Sequence, residues 1–557
     1  MYNNVFRLIG PIVIKKIPIL FVLMFLSILL EMFSLSLIVP VFKMLLNTGN
    51  SSNFDNQILI HFQNYFNNQL TDINLLIILI SLFIFKSLIL ILILIFISRF
   101  AEKVSKYSSN SLFLKYLKSN YLFLKNQNSS TILKNLNTEC NQIYSFIYHI
   151  NQFLIEFLIC FSIFCFLFYS YPIISIYLIL LLLIVIVPIT LISKKKVNSI
   201  AETRIISEGN KIKNINQSLF SIREIFLYDK IDFFVNKYFK NNSDYHKSLR
   251  RLKIISGMPR YFFEVYLIVI FLLYIIFSIS SGLNFVDILP LIILFSAATF
   301  RVMPSITRII VSFQAINYSK KSVKIIEEEL TKVEDNDRSS GLNNTNLIFK
   351  NKIKISNLNF SYNQNQVIKD LNLEVRKNSF NLIQGSSGKG KTTFIEILCT
   401  LIDNYQGSIK VDGIDIRDNS QQWRNKISVV PQKIYLLDDT ILNNIAFGEK
   451  KEEINLERVK ECLKQSGLED YISSFDTYFV GENGSSLSGG QIQRIGIARA
   501  LYRKPEVLIF DEATNALDQK IEESIFQTID KLRGKLTLFV ISHDKTLKLN
   551  FDNIINI

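Results

Sequence analysis

The chain has 557 residues, 49% of them hydrophobic, and a mean hydropathy of +0.27, which excludes an ordinary soluble globular protein. Its 62 Lys and Arg against 47 Asp and Glu give a formal net charge of +15. That charge gathers in the polar segments between apolar runs, which argues against a nucleic-acid partner. Five cysteines with no C-x-x-C pair, and four scattered histidines, indicate neither a zinc site nor a disulfide framework, and fit a reducing cytoplasmic side.

In chain order, Arg7, Lys15 and Lys16 precede an apolar run that continues to about residue 46 without a small-residue cleavage site, so a retained first span is expected. Runs near 17–46, 73–97, 147–170, 172–193, 257–280 and 286–310 are each long enough to cross a hydrocarbon core of ~30 Å. The loop 47–72 and the turns at 170–172 and 281–285 contain no Lys or Arg. By contrast, 99–134 carries Arg99, Lys103, Lys106, Lys115, Lys118, Lys125 and Lys134, and 194–196 is "KKK". Basic loops stay cytoplasmic, so both termini are expected inside. The polar segments 98–146 and 194–256 have helical spacing and predict spans that continue as helices into the cytosol. "ILIHFQNYFNNQL" (58–70) predicts an uncharged amphipathic helix, either on the outer membrane surface or capping the span ends. The reading divides the chain into a membrane domain over 1–330, a polar linker over 331–350 and, over 351–557, a domain alternating short β-branched runs with helical stretches, the pattern of a parallel α/β sheet.

"GSSGKGKTT" follows the strand-like "FNLIQ" and precedes the helix-like "FIEILCTLI". Its residues Gly385, Ser386, Ser387, Gly388, Lys389, Gly390, Lys391, Thr392 and Thr393 match a phosphate loop in the strand–loop–helix setting that motif requires. Backbone N–H groups there would cradle the phosphates of ATP, with Lys391 on the β- and γ-phosphates and Thr392 on Mg2+. "VLIFDE" (507–512) is a buried strand ending in two carboxylates. Asp511 suits Mg2+, and Glu512 is placed to take a proton from the attacking water.

"LSGGQIQRIGIARAL" (487–501) resembles the signature of the ABC transporters. The resemblance implies that Ser488 and Gly490 bind the γ-phosphate held by a partner subunit's phosphate loop, within an ATP-binding stretch that also includes Gly489 and Gln491. It further implies that Tyr362 in "NFSYNQNQ" stacks on adenine, and that Gln432 in "VVPQ" senses Mg2+ and links to the membrane domain. "VGENG" (480–484) resembles the stretch before the signature in exporters. Asp518 in "NALD" corresponds to a dimer-contacting loop, and His543 in "VISHD" to the histidine on the γ-phosphate. The implied architecture is an all-α six-helix transmembrane domain followed by an α/β P-loop ATPase domain. A working unit needs two chains, so a domain-swapped homodimer, or a pair with a close paralogue, is expected. Lys389, Asn515 and an early end after "DNIINI" depart from the family pattern, yet none removes a phosphate, metal or proton-transfer group.

Lys86 stands in the middle of "SLFIFKSLILILIL", where a charge costs at least ~3 kcal/mol on insertion scales. At ~1.5 Å per residue it sits ~20 Å in from the outer end of the second span, and Arg301 ~22 Å in from that of the sixth. With Arg260 and Arg308 these cations form a candidate basic cavity for an anionic headgroup. Pairing with Glu31, Glu156 or Glu264 is the competing reading. "EMFSLSLIVPVF", "QSLFSIREIFLYDK" and "FRVMPSITRIIVSFQAINYSKKS" resemble the bacterial lipid-linked oligosaccharide flippases. That implies ATP-driven movement of a polyprenyl-pyrophosphate-linked sugar across the bacterial inner membrane. Export of other lipids, peptides or drugs, and an ATP-gated channel on the same scaffold, are the alternatives.

Overall fold

A computed structural model describes residues 15–36, 72–170, 172–280, 285–334, 347–386, 388–512, 519–541 and 550–557. The amphipathic stretch 58–70, Ser387, Asn515, Asp518 and His543 lie outside the described residues. The chain divides into two compact units, Met1–Leu117 with Asn126–Asn336, and Lys118–Lys125 with Asp337–Ile557.

Among the described residues, the first unit is built on six long helices: α1 (Ile17–Ser36), α2 (Asp72–Lys118), α3 (Cys140–Ser170), α4 (Pro172–Phe220), α5 (Ile231–Ser280) and α6 (Phe285–Glu334). At ~1.5 Å per residue, the 50 residues of α5 or α6 reach ~75 Å, more than twice the hydrocarbon thickness. Each carries an apolar run at one end and polar, lysine-bearing turns at the other. Ile89, Ile93 and Ile97 recur every four residues on α2 and pack with Leu20 and Met24 of α1, Ile155, Ile159 and Ile163 of α3, Phe263 of α5, and Val302, Ile306 and Ile310 of α6. Ile91, Leu92 and Ile95 on the other side of α2 are exposed. A helix surrounded by hydrocarbon has no need of a polar outer face, so its apolar residues run all round.

The polar ends of these helices are tied together by buried charge. Arg204 on α4 donates to Glu139 (2.9 Å), to Glu208 (2.9 Å) and to Ser322 on α6 (2.7 Å), and Lys134 lies 4.0 Å from Glu139. Glu139 closes a π-helical turn, Asn135–Glu139, that delivers its carboxylate into the bundle.

Among the described residues, the second unit has two sheets. Strands β3 (Phe380–Gln384), β6 (Ile427–Val430), β7 (Val507–Asp511), β8 (Thr537–Ile541) and β9 (Asn553–Asn556) form a parallel sheet in the order β6-β7-β8-β3-β9. The central strands β3, β7 and β8 are buried almost throughout, which is why they read as unbroken apolar runs rather than alternating ones. An antiparallel sheet, β2-β1-β4-β5, is built from β1 (Lys352–Tyr362), β2 (Asn365–Arg376), β4 (Gln406–Val411) and β5 (Ile414–Asp415). Helix α7 (Lys391–Leu398) follows β3, and helix α8 (Gly489–Tyr502) precedes β7. Trp423 is fully buried between the layers and donates its indole N–H to the carbonyl of Leu398 (2.6 Å).

Candidate functional site

The phosphate loop leaves the buried end of β3 and turns into α7 through glycines that no other residue replaces cheaply. Gly388 and Gly390 have φ of +82° and +98°. A Cβ on Gly390 would meet the Val367 side chain at 2.6 Å, and one on Gly385 would collide with the carbonyl of Ile557 at the end of the strand beside β3. Lys391, the first residue of α7, is 5% exposed and folds back over the loop, donating to the carbonyls of Gly385 (2.8 Å) and Ser386 (3.3 Å). Lys389 and Thr392 are exposed, whereas Thr393 is buried in the helix base. The loop N–H groups and the α7 N-terminus thus present the partial positive charge that phosphates require.

Asp511 ends β7, held in register opposite Ile541 of β8. The chain then turns through Glu512, whose φ of +49° is unusual for a residue with a side chain. The turn aims the Glu512 carboxylate at Gln432, which donates to it (2.9 Å), and brings it 3.9 Å from the Lys391 ammonium. Burial, helped by the neighbouring Glu512 and Glu396 charges and opposed by Lys391, pushes the Asp511 carboxyl up to about 6. Two carboxylates near one ammonium, with the exposed Thr392 in the first turn of α7, supply hard-oxygen donors with negative charge in excess, and this fits Mg2+.

Helix α8 begins with a reciprocal cap. The Ser488 hydroxyl accepts from the Gln491 N–H (3.3 Å), and the Gln491 side chain accepts from the Ser488 N–H (2.8 Å). Gly489 and Gly490 form the first turn, and the Gln491 amide also donates to Tyr471 (2.9 Å).

Tyr362 sits at the end of β1, edge-on to Phe360 (4.8 Å between ring centres). Its hydroxyl lies 3.3 Å from Glu396, a residue of α7 that sequence reasoning passed over. One signal was available: Glu396 is the single charge in "FIEILCTL", a stretch otherwise built for burial.

In the first unit, Glu31 on α1 gathers two of the predicted cavity cations. Lys86 is 2.8 Å from it and also donates to Ser34 (3.1 Å), while Arg301 bridges both its oxygens (2.5 and 3.2 Å). Arg308 pairs with Glu156 (2.6 Å). The structure therefore draws Lys86 and Arg301 together at one level and gives three of the four cations a glutamate. Arg260 is exposed and, among the described residues, forms no ion pair with Glu264 or any other carboxylate.

Two family models match this chain. The ABC transporter transmembrane region matches residues 17–303, more than half of the chain, and a second model, ABC transporter, matches residues 368–515. The chain belongs to the ABC transporter family. Among curated relatives, the ATP-dependent lipid A-core flippase of Francisella tularensis subsp. holarctica (strain OSU18) is 36% identical over 207 residues, 36% of this chain and 34% of the relative. The protein of that name from Desulfotalea psychrophila is 39% identical over 212 residues, 37% of this chain and 36% of the relative. The match to this ABC transporter thus spans about a third of the length of these relatives. A solved bacterial Atm1-family ABC exporter with ATP bound superposes with a TM-score of 0.78 at 19% identity, over 98% of this chain and 94% of that one. The fold of this ABC transporter is therefore a helical transmembrane domain followed by a nucleotide-binding domain.

Proposed function

We propose that this ABC transporter hydrolyses ATP to move an anionic amphiphile across the bacterial inner membrane, with both termini cytoplasmic, and that the cargo is a polyprenyl-pyrophosphate-linked oligosaccharide. The observation that carries the cargo reading is the Glu31 cluster. Two cations on one buried carboxylate leave a positive charge in excess at mid-span, where an unbalanced charge is costly unless an anion uses it. A pyrophosphate offers the oxygens to which an ammonium and a guanidinium bind in charge-assisted fashion. Arg308 is neutralised by Glu156, so it is the exposed Arg260 that extends the basic surface toward the cytoplasmic end.

In the ATPase half, Lys391 exchanges the loop carbonyls for phosphate oxygens. Thr392, Asp511 and Gln432 would hold Mg2+, which when bound neutralises phosphate charge. Glu512, aimed by its turn and by Gln432, accepts the proton of the attacking water, and His543 contacts the γ-phosphate. Ser488 to Gln491 and Asp518 complete the site on a second copy of the chain. The second cytoplasmic turn supports such a pairing, since Phe220, Phe226, Leu227 and Tyr228 all stand exposed there. Cysteines placed at Ser218 and Gln432 should crosslink between chains, and crosslinks confined to one chain would refute the swapped arrangement.

Mass spectrometry of the lipid that co-purifies with the protein tests the cargo, together with ATPase stimulation in proteoliposomes. A polyprenyl-pyrophosphate species that stimulates hydrolysis supports the reading. A lipid A-type glycolipid would instead bring this chain's activity to the one named for its relatives. A neutral lipid or drug would overturn the assignment of the Glu31 cluster.

A further inference from the structure

Glu396 projects from the middle of α7 into the interior of the second unit, its side chain 9% exposed. Three donors converge on it. Lys125 donates to both oxygens (2.7 and 3.0 Å), Tyr121 donates its hydroxyl to one (3.1 Å), and Tyr362 donates its hydroxyl to the other (3.3 Å). Tyr121 and Lys125 belong to the short cytoplasmic turn after α2, on the helix Tyr121–Asn126. Leu122 beside them packs on the same apolar cluster as Tyr362. One carboxylate therefore joins the helix behind the phosphate loop, the aromatic at the end of β1, and a turn carried by a long membrane-derived helix.

A buried carboxylate is costly without partners, and among the described residues Lys125 is the cation that neutralises it. Withdrawing Lys125 leaves Glu396 charged and underpaired, and the two tyrosine hydroxyls must then reorient to compensate. The Tyr362 hydroxyl is the ring's polar anchor, so a displaced Glu396 carboxylate draws that end of the ring with it. The pull of the turn on Lys125 is in this way converted into the tilt of an aromatic face.

We infer that Glu396 is a positioning residue through which Lys125 and Tyr121 of the first cytoplasmic turn set the Tyr362 ring, and so the affinity for the base of the nucleotide. The inference rests on the reading of Tyr362 as the adenine face. It adds a route by which movement of the turn reaches the base rather than the phosphates.

The test uses the full-length protein, with ATP and with inorganic tripolyphosphate, a competitor that has phosphates and no base. Glu396→Gln and Lys125→Ala should each raise the KM for ATP by roughly three- to tenfold, the effect of losing one such hydrogen bond. Inhibition by tripolyphosphate should stay within about twofold of wild type in both, because the phosphate loop is untouched. Lys125→Arg should restore the wild-type KM. Combining Lys125→Ala with Tyr362→Phe should raise KM by less than the product of the single effects, since both act through one carboxylate. Parallel weakening of ATP and tripolyphosphate would overturn the inference in favour of a merely structural Glu396. Unchanged KM in Lys125→Ala and Glu396→Gln, with a raised KM in Tyr362→Ala, would sink the link alone. An unchanged KM in Tyr362→Ala would remove the adenine reading beneath it. Lys125 is partly exposed, so its variants keep the test open if Glu396→Gln fails to fold.

Discussion

The two units each hold a buried charge cluster, and the two are opposite in sign. At Glu31 one carboxylate faces two cations, Lys86 and Arg301. At the end of β7 two carboxylates, Asp511 and Glu512, face one ammonium, Lys391. Among the described residues, several other ion pairs that include a buried carboxylate balance. Arg308 meets Glu156, Lys125 meets Glu396, and Arg204 with Lys134 meets Glu139 with Glu208. Balanced clusters join elements without calling for a charge from a ligand. On the proposed function, the imbalance at each of these two clusters is met by a ligand, an anion at Glu31 and a cation at Asp511.

The sharpest break of this contrast is Glu512→Gln. Loss of the carboxylate should lower hydrolysis by roughly 10²–10⁴-fold, the usual contribution of a positioned base, while ATP binding persists and the dimer closes with nucleotide enclosed. Steady-state hydrolysis near the wild-type rate would show that Glu512 is not the base.

Glu31→Gln tests the other cluster from its anionic side. It strands Lys86 beside Arg301 with no carboxylate between them, and should destabilise the protein by ~3–5 kcal/mol, read as a lower unfolding temperature and poor yield. A variant as stable as wild type would mean that the cations do not depend on Glu31.

Removing a single cation should behave differently, because Glu31 keeps the other. Lys86→Ala leaves Arg301 bridging both oxygens, and Arg301→Ala leaves Lys86, so fold and basal hydrolysis should survive. Substrate-stimulated hydrolysis and lipid flipping in proteoliposomes should fall about 10-fold or more, in line with ~1.5–3 kcal/mol per charge-assisted contact. Lys86→Arg should recover part of the loss. Stable variants that flip lipid normally would end the cargo reading.

How much of this was legible in the sequence depended on distance along the chain. The phosphate loop and the "DE" strand end are local patterns whose backbone setting follows from a few adjacent residues. The structure builds each on the strand or helix the sequence predicts. The six helices were legible because burial in lipid leaves uninterrupted apolar runs. The partners of the buried charges were not. Glu31 and Arg301 are 270 residues apart, and Lys125 and Glu396 are 271 apart. Periodicity places a residue on a face but does not say which distant face it meets. Where the sequence did suggest a local pair, Arg260 with Glu264, the side chains are exposed and no pair forms between them. An exposed i,i+4 pair is worth only ~0.3–0.5 kcal/mol, too little to fix two long rotamers. Glu396 escaped notice for a related reason, since a lone acid in an apolar helix declares its burial but not its partners.

The smallest effect expected is also the one that reads the sign of the surplus at Asp511 directly. Its carboxyl titrates near 6 in the folded protein, above the ~3.9 of an unfolded aspartate, so between those values the folded state holds a proton that the unfolded state has released. Folding stability from this group is therefore full at low pH and declines as pH rises toward 6, the reverse of a salt-bridged carboxylate. Without nucleotide or metal, the unfolding midpoint of the wild-type protein should fall between pH 5 and pH 7 more steeply than that of Asp511→Asn, which has no such proton to lose. Adding Mg2+ with ATP should reverse the sign in the wild type alone, because the ionised form then gains a ligand and binding strengthens as pH rises through 6. Thermal unfolding of both proteins at the two pH values, with and without Mg2+ and ATP, gives the four slopes. Equal slopes in wild type and Asp511→Asn would mean that the negative surplus at the end of β7 is already neutralised without a metal, and the contrast with Glu31 would be lost.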